Sequence, residues 1–260
     1  MKGDWPLGSE VRRRVIARGA MLYDASRAGN LPASAFDPAH WLERGEIEGQ
    51  AQGRGRAYFI HSQGRRWVLR HYRRGGLIAG ITTDRYLWSS EDAARPFAEW
   101  QLTYQLHRAG LPVAAPVAAR YQRGGFTYRG DLITERLVDV ESLAQCLRVG
   151  ALSILNWIAI GRCLRRFHAA GVCHADLNAH NVLLGPGDTV FLIDFDRASL
   201  RKPGLWCDGN LVRLRRSLEK ITYGMPADRF TEADWHGLLD GYRNVPGGGP
   251  LQSGPLPELR

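Results

Sequence analysis

The chain has 260 residues, of which 44% are hydrophobic and 23% charged, and a formal net charge of +9. That is length enough for one large or two small domains with a real core, and the balance excludes a disordered chain. The longest uncharged run beside a helix, residues 149–161, is too short to span a bilayer, and no charged segment followed by an apolar one opens the chain, so neither a membrane span nor a secretory signal is expected.

Residues 1–40 read as a polar lead with a short apolar segment at Ala20–Tyr23 and no assignable role. Gly49, Gly53 and Gly55 precede a β-prone run, Ala57–Ile60. A turn at Ser62-Gln63-Gly64 separates it from a second strand, Arg66–Tyr72. Residues 95–108 alternate Phe97, Trp100, Leu102, Tyr104 and Leu106 with polar residues, which predicts a helix closed by Gly110 and Pro112. Two further strands are expected at Val117–Gln122 and Asp131–Leu137, around a Gly124-Gly125 turn. The spacing then predicts a helix over 152–170 that ends at Gly171, with Arg162, Arg165 and Arg166 on the face opposite its apolar residues. Short strands at Asn181–Leu184 and Val190–Ile193 flank a hairpin-type turn, Gly185–Asp188, and helices are expected over 208–222 and 231–243. The tail from Pro246 is rich in glycine and proline and reads as loose.

Basic residues cluster at Arg12–Arg14, Arg65–Arg66, Arg70 with Arg73–Arg74, Arg162 with Arg165–Arg166, and Arg213 with Arg215–Arg216. Such a surface favours an anionic partner: nucleic acid, an acidic membrane face or a phosphorylated substrate. Cys146, Cys163, Cys173 and Cys207 form no C-x-x-C pair, and reduced thiols in a cytosolic setting are expected.

The chemistry concentrates in one stretch. His174-Ala175-Asp176-Leu177-Asn178-Ala179-His180-Asn181 reads H-x-D-x-x-x-x-N, and Asp194-Phe195 follows. This is the catalytic half of the protein-kinase signature. Phosphoryl transfer needs a carboxylate to meet the attacking hydroxyl, and an amide oxygen with a second carboxylate to hold Mg²⁺ against the ATP phosphates. Asp176 is the candidate base, with Asn181 and Asp194 the candidate metal ligands. His174 reads as a structural histidine; His180 touches substrate or is a plain loop residue.

The nucleotide-handling parts are expected upstream. Gly53 and Gly55, with Gly49, can bring backbone N–H groups over phosphates, although their spacing is not G-x-G-x-x-G. Arg70, in Trp67-Val68-Leu69-Arg70, stands where V-A-I-K places its lysine. Glu99 is its expected ion-pair partner, ahead of Glu91. Backbone groups at Glu135 and Leu137 are candidates to meet adenine.

With these residues, the chain resembles the 3-deoxy-D-manno-octulosonic acid (Kdo) kinases, of the lipopolysaccharide-kinase branch of the protein-kinase-like superfamily. Gly53-Arg54-Gly55, Val68–Leu77, the stretch from His174 to Leu184, Ile193–Arg197 and Asn210–Lys220 carry the resemblance, which covers about residues 45–225. It implies an α+β, bilobal protein-kinase-like fold. A nucleotide-binding lobe at 41–139 would hold a small sheet with one helix, and a larger, mainly helical lobe at 140–245 would hold catalysis and the acceptor. The implied reaction moves the γ-phosphate of ATP to the 4-hydroxyl of a Kdo residue on the lipid A precursor, Kdo-lipid IVA. The implied place is peripheral, at the cytoplasmic face of the inner membrane, with an anionic membrane surface as partner and no nucleic acid.

Asp196 replaces the glycine of D-F-G, and no A-P-E follows. A glycolipid acceptor therefore fits better than a peptide. Arg197, Arg201, Lys202, Arg213 and Arg216 are candidates for the Kdo carboxylate or lipid A phosphates. Other lipopolysaccharide-core sugars such as heptose, a protein or an antibiotic are alternative acceptors. A non-enzymatic reading, a pseudokinase or basic binding module, draws on arginine at position 70.

Overall fold

In the computed structural model, which describes residues 8–51, 57–73 and 84–244, the chain divides into two compact units. One is built from the described residues up to His107 with Ala114–Leu137, the other from Arg108–Val113 and from Val138 onward. Gly53, Gly55, the stretch from Arg74 to Leu77 and the tail from Pro246 lie outside the described residues, and so do the expectations placed on them.

The first unit is a sheet covered on both faces. Its elements in order are β1 (Val11–Ile16), β2 (Gly19–Asp24), α1 (Ala25–Ala28), α2 (Pro38–Leu42), β3 (Ile47–Ala51), β4 (Ala57–Ser62), β5 (Arg65–His71), β6 (Tyr86–Leu87), α3 (Arg95–Arg108), β7 (Pro116–Gly124) and β8 (Thr127–Glu135). The described strands pair antiparallel in the order β1-β2-β7-β8-β5-β4-β3, with β6 added beside β8. Strand periodicity sends alternate residues to opposite faces. Ala20, Leu22, Ala119, Tyr121 and Leu132 meet Phe97, Trp100 and Tyr104 of α3. Met21, Tyr23, Ala118, Ile133 and Leu69 meet Leu31, Phe36 and Trp41.

The polar lead is thus part of this unit. Its Ala20–Tyr23 segment is the buried heart of β2, and its scattered Leu31, Ala35 and Phe36 cover the face away from α3. The helix expected in this half is α3; α1 and α2 are two more, short and held by Asp24 and Asp37 as N-caps. Gly49 lies within β3, beside a register shift, and not in a loop.

The second unit is mainly helical: β9 (Glu141–Ser142), α4 (Leu143–Val149), α5 (Ile154–Ala169), β10 (Val172–Cys173), β11 (Val182–Leu184), β12 (Val190–Leu192), β13 (Ser199–Leu200), α6 (Trp206–Thr222) and α7 (Glu232–Arg243). A capping box of Ser153 and Asn156 starts α5, and Gly171 in the left-handed region (φ 77°) follows its end. Arg165 departs from the arginine face expected of this helix. It is buried, with its guanidinium 5.8 Å from the centre of the Tyr242 ring, whereas Arg162 and Arg166 are exposed.

Helices α5 and α7 meet through glycine. A β-carbon at Gly161 would collide with the Leu238 carbonyl oxygen and stand 2.7 Å from the Tyr242 nitrogen. One at Gly241 would collide with the Ile158 carbonyl oxygen. Backbones this close leave no room for a methyl group, although glycine is a poor helix former. Gly161→Ala is therefore expected to destabilise the protein by about 1–3 kcal/mol despite its better helix propensity. A lowered urea midpoint would register this; a raised midpoint would refute the close contact.

Candidate functional site

The H-x-D-x-x-x-x-N loop leaves β10 and enters β11, and β12 delivers the Asp194 segment beside it. Strand β10 pairs with β13 and β11 with β12, so residues on both sides of the loop are held by ladders. At the centre is the His174 ring, 2% exposed. Its Nδ1 accepts the Asp176 N–H at 3.2 Å, and its Nε2 lies 3.0 Å from the Ile193 carbonyl oxygen. One nitrogen must therefore accept and the other donate, which selects the neutral tautomer with its proton on Nε2. Burial lowers the pKa of His174; the Ile193 carbonyl and the charges of Asp194 and Asp176 oppose that shift without reversing it.

The same network draws the metal-ligand candidates to this loop. Asn181 Nδ2 donates to the Asp176 carbonyl at 2.9 Å, and the Ile193 N–H donates to the Asn181 carbonyl at 3.1 Å. Because its amide nitrogen is fixed on Asp176, the Asn181 side-chain oxygen is turned away from that carbonyl. Asp194 has a left-handed backbone, φ 64°, a conformation that aspartate tolerates better than most residues. The turn sends Phe195 inward, with ring centres 5.8 Å from Phe167 and 5.1 Å from His174, and leaves Asp194 half-buried. Asp176 is exposed. The hydrogen-bonded loop thus carries an exposed carboxylate, an amide oxygen and a second carboxylate, the kinds of group that orient a hydroxyl and ligate a hard divalent cation.

Two residues on α6 given no role of their own by sequence reading support the loop. Asn210 accepts the His174 N–H at 3.2 Å and returns a hydrogen bond from Nδ2 to the His174 carbonyl at 3.0 Å. Ser217 Oγ accepts the Ala179 N–H at 3.1 Å. Asn210 opens a stretch that carries the family resemblance, but by itself it stands out only as an uncharged polar residue on the apolar stripe of a basic helix. His180 is exposed, and its N–H donates to Asn178 Oδ1 at 2.9 Å. Arg197 shares the left-handed conformation of Asp194, at φ 63°, whereas Asp196, in the glycine position of D-F-G, does not.

The first unit holds the other candidates. Arg70, on the α3 face of β5, places Nη2 2.6 and 2.5 Å from the two Glu99 carboxylate oxygens. Glu99 is 5% exposed and also accepts the Tyr72 hydroxyl, and the Arg70 guanidinium lies 4.9 Å from the Tyr72 ring centre. Glu91, the rival partner, is taken by Arg13 and Tyr121. Glu135 ends β8; its N–H donates to the Ala115 carbonyl at 2.8 Å and its side chain pairs with Arg27. That N–H is committed to the connection before β7 and is not the group that would meet adenine. Leu137 is half-buried just beyond the strand.

Comparison with known proteins fixes the class: an enzyme that transfers phosphate to an alcohol acceptor, a kinase. Residues 38–242 match the lipopolysaccharide kinase (Kdo/WaaP) family, and the chain belongs to that family. It is 46% identical over 204 residues to a 3-deoxy-D-manno-octulosonic acid kinase of Xylella fastidiosa (strain M12), covering 78% of this chain and 81% of the relative. It is 45% identical over 204 residues to the enzyme of that name from Xanthomonas axonopodis pv. citri (strain 306), with 78% and 81% covered. It is 41% identical over 218 residues to the one from Actinobacillus succinogenes, with 80% and 90% covered.

Two measurements test the electrostatics. Arg70→Ala removes the cation beside a buried carboxylate and is expected to cost about 3 kcal/mol of unfolding free energy. Glu99→Gln, which keeps a partner for Tyr72, is expected to cost less; the reverse order in urea unfolding would contradict the buried pair. Burial lowers His168 from its usual 6.5 to about 4, Asn210 opposing and Arg165 and His174 adding. Its pKa lies below the unfolded value, so between those limits the unfolded chain binds the extra proton. Stability is thus full above about pH 6.5 and falls as pH drops towards 4, by up to about 1.4 kcal/mol per pH unit for one histidine. Urea titrations across this range should show the slope, and His168→Gln should make it shallower, leaving the part due to His174.

Proposed function

We propose that this chain uses ATP and Mg²⁺ to phosphorylate the 4-hydroxyl of a Kdo residue on Kdo-lipid IVA, in lipopolysaccharide core synthesis. The observation that carries the reading is the loop in which Asn181 grips the Asp176 carbonyl while His174 ties Asp176 to the Asp194 segment. The printed names of the relatives support the acceptor sugar.

Asp176 would accept a hydrogen bond from the sugar hydroxyl and take its proton as the sugar oxygen bonds to the γ-phosphorus and the bond from that phosphorus to the bridging oxygen breaks, with ADP leaving. Mg²⁺, when bound, neutralises charge on the ATP phosphates. Asn181 would hold it through the side-chain oxygen that its Asp176 contact leaves facing away, and Asp194 through its carboxylate. Both are hard oxygen donors of the kind this ion takes. Arg70, fixed by Glu99 and Tyr72, would meet phosphate oxygens, with Gly53 and Gly55 covering them. Leu137 and the carbonyl of Glu135 would face adenine. The bilobal protein-kinase-like arrangement belongs to the same proposal, with 41–139 handling nucleotide and 140–245 catalysis and acceptor.

Arg197, Arg201, Lys202, Arg213 and Arg216 are all exposed, and Arg213 and Arg216 share one side of α6. They would receive the Kdo carboxylate or lipid A phosphates. No helix among the described residues is long and apolar enough to cross a membrane. A lipid-linked acceptor and the basic surface support a peripheral place on the cytoplasmic side of the inner membrane.

Mass spectrometry of Kdo-lipid IVA incubated with Mg·ATP and the protein should show the gain of one phosphate. Asp176→Ala should slow transfer by about 10³-fold while nucleotide still binds. Asp194→Ala should lose the Mg²⁺-dependent part of nucleotide binding. Undiminished turnover by the first variant, or phosphate on a different acceptor alone, would overturn the assignment.

A further inference from the structure

At one end of the first unit's sheet, turns and strand ends gather apolar and cationic side chains that the fold itself does not use. The β7–β8 hairpin turns at Gly125, left-handed at φ 63°, with Thr127 Oγ1 donating to the Gly124 carbonyl at 2.9 Å. This tight turn pushes Phe126 into solvent, where it is 91% exposed. Beside it, the Trp88 N–H donates to the Phe126 carbonyl, and Leu87, opposite Thr127, is 75% exposed. On the β1–β2 hairpin, Val15 is 70% exposed and shares an open groove of about 650 Å³ with Arg18, Arg123 and Gly125. Exposed apolar residues scattered singly need no explanation, but Phe126 and Leu87 adjoin at one hairpin end and Val15 opens onto the groove beside its Gly125.

The charges around them are mainly cationic, and the acidic exceptions, Asp84 and Glu91, are held by Arg129 and Arg13. Arg18, Arg85, Arg123 and Arg129 line an adjoining cavity of about 180 Å³, and the Arg18 carbonyl accepts the Arg123 N–H. Arg129 is paired with Asp84. For Arg18, Arg85 and Arg123 the described residues show no carboxylate partner: Arg123 lies over the Trp88 ring, 4.6 Å from its centre, and Arg85 reaches the Thr127 hydroxyl at 3.4 Å. Projecting apolar side chains ringed by uncompensated arginines match a bilayer surface, where acyl chains take the first and anionic headgroups the second. A nucleic acid would use the arginines but give Leu87 and Val15 nothing to contact.

We propose that this hairpin end is the surface by which the protein docks on an anionic membrane, with Phe126 and Leu87 entering the interface and Arg18, Arg85 and Arg123 holding phosphate headgroups. The proposal rests on the reading of a membrane-embedded acceptor and adds where the protein meets the bilayer. The test is flotation of the full chain with vesicles of phosphatidylglycerol and phosphatidylcholine, and with phosphatidylcholine alone. Wild type should float with the anionic vesicles, less so as salt rises, and remain below with neutral ones. Phe126→Ser with Leu87→Ser, and separately Arg18→Ala with Arg85→Ala and Arg123→Ala, should each weaken binding by about tenfold or more, with unchanged thermal melting. Tyr223→Ser, which removes an equally exposed ring in the other unit, should float like wild type.

Phosphate transfer to detergent-dispersed Kdo-lipid IVA should survive in the Phe126/Leu87 variant and fall only when the acceptor sits in vesicles. Failure of wild type with the dispersed acceptor would strike the kinase assignment and leave the flotation result standing. Full flotation by both hairpin variants, equal loss in Tyr223→Ser, or salt-sensitive capture of RNA in place of vesicles would overturn the docking surface.

Discussion

A buried imidazole that must stay neutral governs the catalytic loop. His174 can satisfy both the Asp176 N–H and the Ile193 carbonyl only with its proton on Nε2. A second proton would set two N–H groups against each other at Nδ1, inside a packed site. Burial, which penalises the charged ring, thus also preserves the geometry. The loop's start and the chain leading to Asp194 are tied by a single ring, and Asn210 clamps that ring's own backbone from α6. Charge-bearing oxygens can remain at the surface because uncharged groups beneath them do the positioning.

The second tie is of the opposite kind. Arg70 and Glu99 form a charged pair on the α3 face of the sheet, with Tyr72 contributing a hydroxyl and a ring. One nitrogen of the Arg70 guanidinium, Nη2, meets both Glu99 oxygens and the guanidinium lies near the Tyr72 ring, where the ammonium of lysine would be a point charge on a flexible stem. The arginine at position 70 therefore need not signal a decayed site. It keeps a cation at the place where the sequence signature has lysine.

What could be read from sequence depended on how local each role is. The stretch 174–195 declares itself because the candidate base, amide and carboxylate fall within one short run whose spacing is itself the signal. Glu99 was legible as a partner of Arg70 because strand, helix and charge pointed the same way. Asn210 and Ser217 were not, since their partners lie far back in the chain and nothing near them marks the contact. The lead hid two strands and two short helices because its apolar residues follow no single period. Arg165 was misplaced by charge alone: a guanidinium can lie buried when an aromatic ring such as Tyr242 covers it. The committed Glu135 N–H escaped notice because its acceptor, Ala115, belongs to the connection before β7.

The order of strands in the first sheet has a consequence for how the protein is made. Strand β2 is nearly all apolar, yet its inner neighbour is β7, which follows α3 in the chain. On the ribosome, the β1–β2 hairpin must therefore wait with one sticky edge of β2 unmatched while most of the unit is still being translated. Its other flank is β1, where Arg12, Arg13 and Arg14 interrupt the edge with charge. Consecutive cations there discourage the nascent segment from pairing with a neighbouring chain before its own partner emerges.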